Sequence, residues 1–178
     1  RVSITVLIAG GQSPHTFEPS PSLIAESARS SVCFAVGMPF EDQIVRDLRE
    51  ANPEILVVDT GSGVERIASQ ATEPEEKAGA AHYRDDKRGE RASHTRASEH
   101  GDIDPHIWLS PRAASMMAGN IAEGLSEVDP THAAEYAANL ASLEAELSEL
   151  DAELSEVLRP FRGRSFYVFH PAYGYFAR

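Results

Sequence analysis

The sequence predicts an α/β fold: a parallel sheet with flanking helices, then one long connecting helix and the start of a second domain. Three observations carry this. Apolar, β-branched runs at 2–8, 31–36 and 55–59 each lead towards a glycine-marked loop, the pattern of buried parallel strands. Segments with helical spacing of apolar residues lie between them, and β-α-β-α-β order with short connections implies helices on both faces of the sheet. Further on, Leu140, Leu143, Leu147, Leu150, Leu154 and Val157 recur at alternating steps of three and four, which is a heptad stripe on one helix.

Each element follows from its own residues. VSITVLI at 2–8 runs into Gly10-Gly11, as a buried strand feeding a loop should. Ser20-Pro21 opens a short helix to about Arg29, with serine as N-cap and proline in the first turn. SVCFAVG gives a strand at 31–36 that contains Cys33. This is the one cysteine, so no intramolecular disulfide forms, and its apolar neighbours mark a packed strand residue rather than a ligand or nucleophile. Residues 42–51 place Ile44, Val45 and Leu48 at helical spacing, Glu41 is expected to cap that helix, and Asn52-Pro53 ends it. ILVVD at 55–59 is the third strand, and Gly61 and Gly63 mark the loop beyond it.

From 71 to 101 large apolar residues almost vanish in favour of Glu, Lys, Arg, Asp and Gly, so the segment is expected to be a mobile loop. Pro111 starts a helix over 111–126, and Asp129-Pro130 begins the next, which runs to about Leu158 before Pro160. SFYVFH at 165–170 then reads as another strand.

Composition narrows the function. A net charge of −12 argues against a nucleic-acid partner, which requires clustered Lys and Arg. There is no apolar run of about 18 residues that could span a membrane. No signal peptide opens the chain, so export is not legible from the residues themselves.

Three histidines sit in segments of unusual composition: His15 in SPHTFEP, His106 in DIDPHIWLSP and His170 in FYVFHPAYGYFA. Neutral imidazole is the commonest protein ligand for a transition metal, and three converging rings make most of a tetrahedral zinc site. Their wide separation requires a folded scaffold to bring them together, unlike the clustered ligands of a zinc finger. Glu18 and Asp104 flank two of them and are candidates to orient a ring by accepting its free N–H, or else to cap a turn. Phe17, Trp108, Tyr173 and Tyr175 either shield such a site from water or simply pack in the core. His82, His94 and His100 lie in the charged loop as solvated residues or as a weak accessory metal-collecting set.

PHTFEP, DPHIWLSP and FHPAYGYFA, in this order and joined by VGMPFED at 36–42 and a His-bearing charged insertion, resemble the metal-binding receptors of zinc and manganese ABC uptake transporters. The resemblance implies two α/β domains with the metal between them. It is held by three side chains from such motifs and a fourth, usually a carboxylate, from the C-terminal domain. Carried over, the ligands are His15, His106 and His170, and histidine rather than glutamate at the third place favours Zn2+ over Mn2+. The implied organisation is an N-terminal metal-binding domain at 1–128, a long connecting helix at 129–160, and the first strand and loop of a truncated C-terminal domain at 161–178. The implied function is capture of zinc outside the cytoplasm, in the periplasm or as a cell-surface lipoprotein, for delivery to the membrane permease of an ABC transporter.

Three histidines alone also fit a zinc-dependent hydrolase with an open water position, and a manganese-type receptor remains a further alternative. No HExxH helix, HxH pair or serine-nucleophile elbow occurs to supply a positioned base, so the chain reads as no enzyme. The 140–157 stripe and an unpaired SFYVFH edge together favour a homodimer over a monomer, through the helix stripe or by strand exchange.

Overall fold

Two four-residue strands, β1 (Val32–Ala35) and β2 (Leu56–Asp59), pair in parallel, with Val32 opposite Leu56 and Ala35 opposite Asp59. The structure is a computed structural model and describes residues 3–8, 17–37, 41–68 and 103–178. Because side chains alternate across a strand, the register sorts the sheet into two faces. Cys33 and Val57 pack on a cluster of Ala28, Ile44, Leu48 and Ile55. Phe34 and Val58 point the other way and approach Gly124.

Helices α1 (Pro21–Ser27) and α2 (Glu41–Ala51) build the first face, with Leu48 only 1% exposed. Ser20 caps α1 as its sequence position implies, its hydroxyl accepting the Leu23 N–H at 3.3 Å. Asn52 ends α2 and turns its amide onto the Ala28 carbonyl at 2.9 Å, tying α2 to α1. On the second face lies α3 (Pro111–Val128), whose Asn120 amide donates to the Thr60 and Ser62 carbonyls at 2.8 and 3.0 Å and so holds the loop after β2. Helix α4 (Ala133–Leu158) packs back along α3, and the Arg112–Asp151 ion pair at 2.9 Å fixes the two as antiparallel. At their joint Asp129 Oδ2 accepts from His132 Nδ1 at 2.7 Å and from the Tyr136 hydroxyl at 2.9 Å.

The carboxyl ends of β1 and β2 share one clasp. Arg66 donates to the Val36 carbonyl at 3.1 Å and pairs with Asp59 at 3.5 Å. Its guanidinium fills a notch in which a Cβ on Gly37 would lie 2.9 Å away and one on Gly61 2.5 Å away. Gly37 also takes φ +83°, the left-handed conformation that favours glycine. Glu41, at the start of α2, accepts the Val36 N–H at 3.0 and 3.1 Å on its two carboxylate oxygens.

Two expected strands are absent. Residues 3–8 form no ladder, and Ile4 and Val6 are 80% and 70% exposed; only Leu7 of the apolar run packs on the α1–α2 cluster. Residues 165–170 likewise form no strand, and Tyr167 and Phe169 are fully exposed. The physical reason is common to both. An apolar β-branched run reports a capacity for burial, whereas a strand exists only when a neighbour supplies its backbone hydrogen bonds. Neither segment has such a neighbour among the described residues. The 71–101 loop lies outside the described residues, but its two approaches meet: Ala68 and Ile103 form an antiparallel bridge.

Candidate metal centre

His106 is positioned by residues on both sides. Ile107, 0% exposed, anchors the short 3-10 turn Ile107–Leu109 that follows it. Ser110 then caps α3, with Pro111 at its first position, so the ring sits at the entry of a rigid helix. On the other side, Asp104 is 2% exposed and its Oδ1 accepts both the His106 backbone N–H at 2.9 Å and ring Nδ1 at 2.7 Å. With an ionised carboxylate on Nδ1, that nitrogen carries the proton and Nε2 keeps a free lone pair. Trp108 lies edge-on to the ring at 5.4 Å.

His170 meets that lone pair. Its Nε2 stands 3.0 Å from His106 Nε2, with the rings nearly perpendicular at 83°. The segment is docked by Ala172 and Tyr175, both buried, and the Ala172 N–H turns back onto the His170 carbonyl at 2.8 Å. A single chain therefore brings together two histidines separated by sixty-four positions.

The remaining expected residues divide. His15, His82, His94 and His100 lie outside the described residues, as does the third corner of the expected histidine set. Glu18 is exposed. Phe17 packs on the α1–α2 cluster and belongs to the core. Tyr173 is exposed and meets Phe166 and Phe176 edge-on. Cys33 lies half-buried in β1, where burial and the charge of Glu41 push its thiol up, away from thiolate chemistry. No group of three or more His, Cys, Asp or Glu arranged for a metal occurs among the described residues.

Sequence reasoning missed Ile67 and Gly174. The Ile67 N–H donates to the Tyr175 hydroxyl at 3.2 Å, and its carbonyl accepts the Asp104 N–H at 2.9 Å. A Cβ on Gly174 would collide with Asp104 Oδ2 and lie 2.8 Å from Ile67 Cδ1. The missed partner is a backbone group 108 positions from Tyr175, for which no side-chain pattern exists.

The family described as zinc-uptake complex component A, periplasmic (ZnuA), matches residues 1–178. The chain belongs to the ZnuA family. A high-affinity zinc uptake system protein ZnuA from Yersinia pestis is 28% identical over 96% of this chain. The ZnuA of Paracoccus denitrificans is 42% identical over 41% of it. A zinc-bound crystal structure of a ZnuA deletion mutant superposes over 99% of the chain with a TM-score of 0.75 and 32% identity. The parallel sheet with flanking helices is thus the ZnuA-type receptor fold. The chain spans 54% of the Yersinia relative and 57% of the solved chain, about half of each. ZnuA-family members are metal receptors rather than enzymes, so the hydrolase reading is set aside.

Proposed function

We propose that this chain is the metal-capturing part of a zinc receptor, that His15, His106 and His170 hold the ion, and that a carboxylate from a C-terminal domain completes the set across an interdomain cleft. The single observation that carries the reading is the 3.0 Å approach of His106 Nε2 to His170 Nε2, with His106 Nδ1 tied to buried Asp104. Zn–N bonds of about 2.0–2.1 Å at a tetrahedral centre separate two ligand nitrogens by about 3.3 Å, so only a slight spreading admits an ion. Asp104 orients His106, and Glu18 does the same for His15. A nitrogen-rich donor set also favours zinc over manganese, which prefers oxygen ligands.

The receptor collects zinc outside the cytoplasm, in the periplasm or anchored at the cell surface as a lipoprotein, and delivers it to the permease of an ABC transporter. Family membership and the names of the Yersinia and Paracoccus relatives support this role. His82, His94 and His100 serve as a weaker collecting set. The domain limits are 1–128, 129–160 and 161–178.

Titration calorimetry with Zn2+ on His15→Ala, His106→Ala and His170→Ala, beside a variant with His82, His94 and His100 all replaced by alanine, is the test. Each single change should weaken binding sharply, and the triple change only slightly. Equal loss from the triple variant would sink the assignment, and tighter Mn2+ than Zn2+ binding by the native chain would reverse the metal preference.

A further inference from the structure

Ile67 is an apolar residue with no chemistry of its own, yet its two backbone groups tie together the segments that carry the two histidines. Its carbonyl holds Asp104, two residues before His106, and its N–H is held by Tyr175, five residues after His170. Tyr175 is 6% exposed and packs with Ile67, Ile107 and Ala113. Gly174 completes the join, because any side chain there would press on Asp104 and Ile67. One residue of the chain thus sets the distance between the two segments, through one hydroxyl and one missing side chain.

From this we infer that Tyr175 is a positioning residue: by accepting the Ile67 N–H it fixes the register of the His170 segment on Asp104, and thereby the spacing of the two Nε2 atoms. The inference rests on the reading of His106 and His170 as metal ligands, and it adds a device that neither histidine contains. The hydrogen bond that Tyr175 makes here is to the Ile67 backbone. It acts through the backbone, and Tyr175→Phe removes the acceptor while keeping the ring that fills the cluster. The supports of ligand histidines commonly change metal affinity by about 10–100-fold when altered, and an indirect one belongs near the lower end.

The experiment compares the full chain with Tyr175→Phe and with Tyr136→Phe, which loses a hydroxyl at the α3–α4 joint instead. Circular dichroism and thermal melting check folding. Zinc affinity is read by chelator competition, coordination by Co2+ absorption, and the metal-free rings by 15N imidazole resonances of His106 and His170. The expected result is a folded Tyr175→Phe protein that binds zinc about tenfold more weakly, with an altered Co2+ spectrum and shifted His170 resonances. Tyr136→Phe should leave all three unchanged. A folded Tyr175→Phe protein with native affinity, spectrum and resonances would overturn the inference. If Tyr175→Phe does not fold, Gly174→Ala, read by the same resonances, takes its place, and unmoved histidines there overturn it equally. If the native chain binds no zinc, the metal reading fails separately, and the metal-free resonances alone decide whether Tyr175 sets the register.

Discussion

Asp104 does two jobs with one oxygen, holding both the backbone and the ring of His106. Its replacement should therefore expose how much of the site is orientation. In Asp104→Asn the amide oxygen can still accept a hydrogen bond but the negative charge is gone, so zinc affinity should fall about tenfold while the fold persists; chelator competition and a thermal melt read the two separately. Burial of the carboxylate at 3% side-chain exposure makes Asp104→Leu the harsher change, since it leaves the ring free to turn. That Asp104 would meet His106 was legible because it lies two residues from a motif histidine, and that His106 and His170 would come together was legible from their motifs. Tyr175 was visible only as an aromatic of two meanings. Ile67 and Gly174 could not be found at all, since what they contribute is a backbone hydrogen bond and an empty space.

Among elements, β1, β2 and all four helices were legible within a few residues, because periodicity, the Ser-Pro starts and the Asn-Pro stop report local preferences that the fold obeys. The segments 3–8 and 165–170 were not, since pairing is a property of neighbours. Two glycines of α3 separate helix propensity from packing. A Cβ on Gly119 meets nothing within 4 Å, so Gly119→Ala should stabilise by about 1 kcal/mol. A Cβ on Gly124 would lie 2.7 Å from Val58 Cγ2 and 3.1 Å from Phe34. The same gain there is met by an overpacking cost of about 1–3 kcal/mol, and Gly124→Ala should be neutral to destabilising in urea titrations. The α3–α4 joint has a pH signature. Hydrogen bonding to Asp129 raises His132 above its ordinary 6.5, and the bonds from His132 and Tyr136 hold Asp129 below its ordinary 3.8. A raised histidine stabilises fully below about 6.5 and loses its contribution as pH rises through the folded value. A lowered aspartate stabilises above about 3.8 and loses its contribution as pH falls through its own. The stability gap between the native chain and Asp129→Asn should thus be largest between about pH 4 and 6 and narrow on either side, small throughout because both groups face solvent.

At the scale of the whole molecule, the 140–157 stripe is only half covered. Leu140, Leu147 and Leu154 are partly buried, whereas Leu143, Leu150 and Val157 are exposed, as are Phe161, Phe166, Tyr167 and Phe169. Exposed apolar surface of this kind drives association, and we expect light scattering at micromolar concentration to return twice the monomer mass. Replacing Leu143, Leu150 and Val157 by glutamine should restore the monomer; an unchanged dimer would shift attention to 161–169, and a native monomer would remove the expectation. His106 and His170 already meet within one chain, so association has no need to exchange them. The Ala68–Ile103 bridge has a consequence of another kind. Its two ends are pinned two residues before His106, where Ile67 and Asp104 join them again by a backbone bond. Closing a longer insertion between fixed posts costs only about 0.6 kcal/mol per doubling of length. What lies between them can therefore be lengthened or shortened at little cost to the contacts that bring His106 and His170 together.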